Sequence, residues 1–449
     1  MKTLIRNGRL TLEDRLETGD VLLEGEKILA VGGRVAEAAD RVIDASGCYV
    51  LPGLIDFHVH VDDRIGAYDL ADTYESGSRI ALQNGITTLC SFVTQGAGES
   101  LVDALERART KALRATHGDV LWHLTPTTFA DDDWRQMERL VALGYRTFKL
   151  YTTYKDAGIC ADSARLEEVF RRLSPLGVRF LVHCEDDALM ADLPLAGMDL
   201  SKPSSHAKLR PEAAERSAVE AVVALAQRTG ASLHVVHVST EGAARHLMET
   251  RSETDLSCET CPQYLWLDEG WLGRENGHRW ICSPPLRKER DLFRGLAREG
   301  VFDLIATDHC AFRRGDKDAW DHQDVRTAAN GIAGLGALPH LAWRLWEDDP
   351  DRAALEMAKR LSRNPAILAG IGHRKGSIRP GLDADLVVLD FSDRPRPLVS
   401  THADTHETYP GFTTTLNFRH VLLRGDPKVA DSMLLHSETP TGQMLQARP

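Results

Sequence analysis

The chain opens on short segments of alternating apolar and polar residues, "TLIRNGRL", "DVLLEGEKILAVGG" and "RVIDASGCYVLPG", punctuated by turn residues such as Gly25. Period-two alternation with turn signals predicts strands and hairpins. From Gly53 to about Gly370 the pattern changes. Short apolar runs such as "ITTLCSFV", "DVLWHLTP", "RTFKLYTTY", "RFLVHCED", "SLHVVHVST" and "FDLIATDHC" alternate with amphipathic stretches such as "SLVDALERARTKAL" and "ARLEEVFRRL". Strand and helix in regular alternation predict parallel strands, and this many units predict a closed barrel. After "KGSIRPGLDADLVVLD" the short-strand pattern returns. The expected fold is α/β: a TIM-like (β/α)8 barrel over 53–375, with a small β-sandwich domain built from both chain ends, 1–52 and 376–449.

Composition narrows the function classes. With 43% hydrophobic and 27% charged residues, the 449-residue chain has the makeup of a soluble protein with a large core. A net charge of -12 without a basic stripe excludes a nucleic-acid or anionic-membrane surface, so the expected partner is a small molecule. No apolar run approaches the roughly 18 residues of a membrane span. The N-terminus turns polar too soon for a signal peptide, and a cytoplasmic location is expected. Eight scattered cysteines fit reduced thiols, and the lone CxxC, Cys258 to Cys261, lacks the second pair of a zinc ribbon and is read as structural.

The chemistry begins at "PGLIDFHVHVDD", where an apolar run ends in His58 and His60. Residues i and i+2 of a strand share a face, so both imidazoles can converge on one metal. In a (β/α)8 barrel the active site lies at the C-terminal strand ends, and polar residues there add Lys149, His183, His237 and Asp308. His234 stands three residues before His237; strand alternation assigns His237 to the barrel mouth and His234 to the outer helix layer. By the same rule His309 points away from Asp308, while His123, His206, His322 and His340 carry no spacing signal and are read as structural or surface residues. Lys149, in "TFKLY", sits among apolar neighbours that favour the neutral amine. Such an amine can be a snorkelling or paired lysine, form a Schiff base, or add carbon dioxide to become an anionic carbamate ligand; the surrounding histidines favour the carbamate.

These residues resemble the cyclic amidohydrolases, within them the dihydropyrimidinase or hydantoinase branch. The resemblance spans essentially the whole chain and rests on "PGLIDFHVH", "ESGSRIALQNGITT", "FKLYTTY", "VHCED", "HVVHVST", "ETCPQYL", "CSPPLRK", "ATDH" and "NPAILAGI" in order. It implies two divalent ions, usually Zn2+. His58, His60 and Asp308 would hold one and His183 and His237 the other, with Lys149 bridging them as a CO2-derived carbamate. It further implies Asp308 as the proton shuttle, Tyr154 as an oxyanion donor, Ser283 and Asn330 as residues holding the cyclic amide or imide, and a homo-oligomer, dimer or tetramer.

Within the branch the expected reaction is ring opening of a dihydropyrimidine or 5-substituted hydantoin to an N-carbamoyl amino acid. A dihydroorotase-like member would carry an arginine where Asp62 stands, and allantoinase-like members generally lack the tyrosine matched by Tyr154. Both remain alternatives. Two stretches depart from the pattern, "VDDRIGAYDLADTY" and "NGIAGLGALPHL", the latter with Ala333 and Gly336 in place of proline and an acidic residue. A non-enzymatic scaffold of the same fold is disfavoured because all six ligand positions are filled.

Overall fold

A computed structural model describes residues 1–435 and 439–448. Its centre is a curled parallel sheet in the order 54–60, 86–94, 119–125, 147–151, 179–183, 232–235, 256–260 and 304–305, each strand paired to the next. Closure comes from His309–Cys310, which pairs back onto the first strand, His309 with Val59 and Cys310 with His60. Every residue of Leu54–His60 and Asp119–Thr125 is buried, as expected of strands covered by helices on one side and filled by side chains on the other. This is the TIM-like barrel that strand and helix alternation predicts.

The helices follow from their apolar spacing and caps. In Leu101–Leu113 the buried residues Leu101, Ala104, Leu105, Ala108 and Ala112 recur at helical intervals, and the Ser100 side chain accepts from Asp103 N. Ser163–Leu173 buries Leu166, Val169, Phe170 and Leu173 and is capped by Asp162 in the same way. The interior apolar layer brings Ile55, Phe57, Cys90, Leu121, Leu181, Val236 and Leu304 together with Ala366, Ala369, Ile371 and Leu445. The last of these arrives on the returning tail, where Val120 N donates to Gln443 O and Leu445 N to Val120 O.

Both chain ends build a second, nine-stranded sheet. Lys2–Leu12 turns its corner: Thr3–Arg6 pair in parallel with Arg41–Asp44, and Arg9–Leu10 with Tyr49–Val50. Alternation decides which face meets what. Val50, Leu386, Val388 and Leu422 join the sandwich's own core with Ile5, Val21 and Ile28, whereas Tyr49, Leu51, Val387, Leu389 and Val421 pack on the barrel's core. Among the described residues, no helix is long and apolar enough to cross a membrane.

Candidate metal centre

Irregularities in the barrel wall aim the candidate ligands. A register shift between Asp56 and Val59 ends the first strand's regular pairing and leaves the His58 and His60 rings 5.4 Å apart. Asp308 occupies the gap between Leu304–Ile305 and His309–Cys310 with a left-handed backbone, φ +50°. Thr307 secures that gap by donating its N–H and hydroxyl to the Asp56 carboxylate at 3.1 and 2.6 Å. Asp308 Oδ1 thereby stands 3.0 Å from His58 Nε2 and 3.5 Å from His60 Nε2, and one ligand atom from each of the three lies within 4.8 Å of the others. His237, also left-handed at φ +40°, has its ring 5.4 Å from His58 and 4.5 Å from His183. Non-glycine residues in this conformation cost on the order of 1–3 kcal/mol each and persist where the surroundings hold them.

Lys149 completes the cluster. Its side chain is buried, with Nζ 5.1 Å from the centre of the Phe92 ring, which stacks on His60 at 4.7 Å. Burial lowers its ammonium to about 8 against the pull of Asp308 and Glu259, so the neutral amine is far more accessible near neutrality than in an ordinary lysine. Burial likewise lowers His60, His183 and His237, favouring the neutral form in which an imidazole can bind a metal. At His58, burial and Lys149 push down, but the Glu259 and Asp308 carboxylates outweigh them and raise it. Burial pushes the Asp308 carboxyl up, yet the facing His58, His60 and His237 hold it well below the carboxylate range.

A divalent ion fits this donor set. His237 Nδ1 is buried without a hydrogen-bond partner, a state that buried polar atoms rarely tolerate, and His58 Nε2 meets only the Asp308 carboxylate. Two nitrogens and a carboxylate converging with free lone pairs suit zinc or a similar metal.

The supports beneath the ligands escape a reading by strand ends alone. Glu259 accepts from His58 Nδ1 at 2.5 Å and from His234 Nε2 at 3.2 Å, fixing the tautomer that frees His58 Nε2. His234 is therefore inside the barrel, its ring 5.2 Å from Phe57, and not against the outer helices. Strand alternation misassigns it because the strand stops at Val235 and left-handed His237 no longer obeys the period of two. Glu185 plays the corresponding part for His183, accepting from Nε2 at 2.7 Å while also accepting from Arg210 at 2.5 Å. A sequence signal for Glu259 existed: a carboxylate in "LSCET", a strand buried along its length, demands a partner.

Tyr154 follows Tyr151 on a left-handed turn, φ +66°, with its ring 5.3 Å from His183 and the Arg210 guanidinium 4.8 Å above it. Burial pushes its phenol up to about 12, so it remains a proton donor. Asn330 Nδ2 donates to Ser283 Oγ at 2.7 Å, so these two expected substrate residues meet. His309 does face away from Asp308, toward Asp72 at 3.1 Å. His123, His206 and His340 are buried and hydrogen-bonded, to Thr147, Cys282 and Asn84 respectively, and His322 is exposed. Cys258 and Cys261 are buried free thiols.

The sequence model of the amidohydrolase family matches residues 49–427. The chain belongs to the amidohydrolase family. It is similar to a D-hydantoinase of Streptomyces coelicolor, 32% identical over 96% of this chain and 95% of that one. A D-hydantoinase of Geobacillus stearothermophilus is 29% identical over 97% and 94%. Among solved structures, a dihydropyrimidinase from Brevibacillus agri superimposes with a TM-score of 0.93 at 29% identity, covering 100% of both chains. This amidohydrolase therefore shares its whole architecture, barrel and accessory sheet alike, with that dihydropyrimidinase.

Proposed function

We propose that this amidohydrolase opens cyclic amides or imides by hydrolysis, with a dihydropyrimidine or 5-substituted hydantoin as substrate and an N-carbamoyl amino acid as product. The observation that carries the reading is the convergence of His58, His60 and Asp308 at the barrel mouth, in a chain similar over nearly its full length to hydantoinases. His58, His60 and Asp308 would hold one ion and His183 and His237 a second, with Lys149 carboxylated between them. Two divalent cations there, zinc in our reading, would supply a nucleophilic water at neutral pH and polarise the ring carbonyl.

The protein's own groups do the rest. Asp308 is ionised, and its carboxylate is free to take a proton at the reacting centre and return it to the leaving ring nitrogen. Tyr154 keeps its phenolic proton and donates to the developing oxyanion. Ser283 and Asn330 hold the amide edge of the ring. Beside Asn330, Ile65 and Tyr68 of the small hairpin pack with Leu70, Phe312 and Ala329, an apolar wall for the ring substituent.

Dihydroorotate fits less well. Arg64 is exposed, donates to Ala67 O at 3.1 Å and faces Asp69 at 3.7 Å, which leaves no arginine from this loop to grip a substrate carboxylate. A homo-oligomer and a cytoplasmic setting complete the proposal, the latter supported by eight free cysteines. The test is ring opening by zinc- and bicarbonate-reconstituted protein on dihydrouracil, 5-substituted hydantoins, allantoin and dihydroorotate. Selective turnover of the first two supports the reading; turnover of only allantoin or dihydroorotate replaces it, and metal-free inert protein points to a scaffold.

A further inference from the structure

Lys317 is a buried cation that the proposed chemistry does not use. It sits on the short helix Arg314–Asp318, and its side chain turns inward to donate from Nζ to three backbone carbonyls: Ile281 at 2.8 Å, Ala329 at 2.6 Å and Gly331 at 2.7 Å. Three donors meet three acceptors, and among the described residues no carboxylate pairs with it. Those carbonyls belong to the two segments that carry Ser283 and Asn330. Ile281 lies two residues before Ser283, while Ala329 and Gly331 flank Asn330.

Other contacts give the same junction its shape. Gly331 N donates to Ile281 O at 3.0 Å, and Cys310 N donates to Ile332 O at 2.9 Å, which ties the junction to the strand leaving Asp308. A Cβ on Gly331 would stand 2.6 Å from Cys310 O, so glycine is needed for this approach. An isolated ammonium in such a place is costly, and a hydrophobic residue would fill the space at lower desolvation cost. What a hydrophobic residue cannot do is hold three carbonyls from two loops at fixed separation. Burial also lowers the ammonium to about 7.

We propose that Lys317 is a positioning residue for substrate recognition, clamping the 281–283 and 329–331 segments so that Ser283 and Asn330 present their hydrogen-bonding groups to the ring at one spacing. The inference rests on the substrate roles proposed for Ser283 and Asn330. It predicts a defect in recognition, with the metal centre left intact.

The experiment compares the parent with Lys317→Met and Lys317→Arg, each reconstituted with zinc and bicarbonate. Bound metal is counted, kcat and KM are measured on the best ring substrate, and backbone hydrogen exchange is followed by mass spectrometry. Lys317→Met should retain parental metal content and raise KM on the order of ten- to a hundredfold, the scale of one or two weakened substrate hydrogen bonds, with kcat changed far less. Exchange should quicken in 281–284 and 328–332 while 54–60 and 147–151 stay protected. An unchanged KM with unchanged exchange in those segments overturns the clamp, as does a loss confined to kcat and metal. If Lys317→Met does not fold, Lys317→Arg decides by the same readings, since its fork cannot reproduce three converging short bonds. If the parent opens none of the rings, the proposed function fails on its own, and local exchange still decides whether Lys317 clamps the loops.

Discussion

Glu259 lies directly beneath His58, its Oε1 2.5 Å from His58 Nδ1, and shares its other oxygen with His234 at 3.2 Å. Hydrogen bonding and electrostatic attraction from the rings of His58 and His234 overcome the burial that would raise this carboxyl and hold it well below the usual carboxylate range. An ionised, fully buried carboxylate keeps His58 protonated at Nδ1 and presents Nε2 to the barrel mouth.

Removing that charge should therefore weaken metal binding without touching a ligand. Glu259→Gln can donate where it must accept, which favours the wrong tautomer of His58. Metal affinity should fall on the order of 10- to 100-fold, measured by competition with a chelator dye, and kcat should fall alongside it. Parental affinity in the variant would show that Glu259 serves packing alone.

If Lys149 carries the proposed carbamate, Lys149→Ala should bind less metal and lose activity, and a short carboxylic acid added to the buffer should restore part of both by standing in for its oxygens. The buried amine, lowered to about 8, is what makes carbamate formation feasible near neutral pH. Full activity in Lys149→Ala without added acid would remove the carbamate from the mechanism.

Much of this site was legible from spacing because barrel strands run in one direction and end at one face. His58, His60, Lys149, His183, His237 and Asp308 could be gathered on that rule alone, and the geometry brings them together. The rule fails where the strand does. His237 and Asp308 are both left-handed residues outside the ladder, so alternation says nothing reliable about their neighbours, and His234 was assigned to the wrong side. Arg210 and Lys317 stayed hidden for a different reason: each acts through a partner distant in sequence, and only packing reveals the pair. The strand pattern of the chain ends was readable, but the return of Leu445 to the interior layer of the barrel was not, because "QMLQARP" carries no periodicity of its own.

Tyr154→Phe removes the phenol while keeping the ring beneath Arg210. With the phenol held up near 12, the wild-type group is a donor throughout the neutral range. Loss of one oxyanion donor should lower kcat on the order of a hundredfold with KM little changed. A change in KM alone would make Tyr154 a substrate-positioning residue.

Asp308→Asn keeps the shape of the residue and removes its ability to carry a proton. Turnover should be lost while the far-UV spectrum and thermal transition remain those of the parent. Normal kcat in this variant would require another group to move the proton.

The joint between barrel and accessory sheet offers a test of stability. Lys375, buried, reaches Asp119 at 2.6 Å at the start of a barrel strand, Asp385 at 2.5 Å and Asp383 at 3.2 Å, and Arg424 also pairs with Asp119. Burial lowers the lysine, but the three carboxylates outweigh it and raise its pKa, while burial of Asp383 is outweighed by Lys375 and its other cations. Lys375→Met leaves the buried Asp385 carboxylate without its ion-pair partner, while Asp119 keeps Arg424 and Asp383 keeps Lys27 and Arg374, and should cost about 3–5 kcal/mol, read from urea unfolding. The pH dependence has a definite sign at each end. A depressed Asp383 stabilises the fold above its unfolded value of 3.8 and loses that contribution as the pH falls toward about 2. A raised Lys375 stabilises below its unfolded value of 10.5 and loses its contribution as the pH climbs through the folded value. Lys375→Met should therefore flatten the alkaline limb of the stability profile; a parental limb would place the alkaline loss elsewhere.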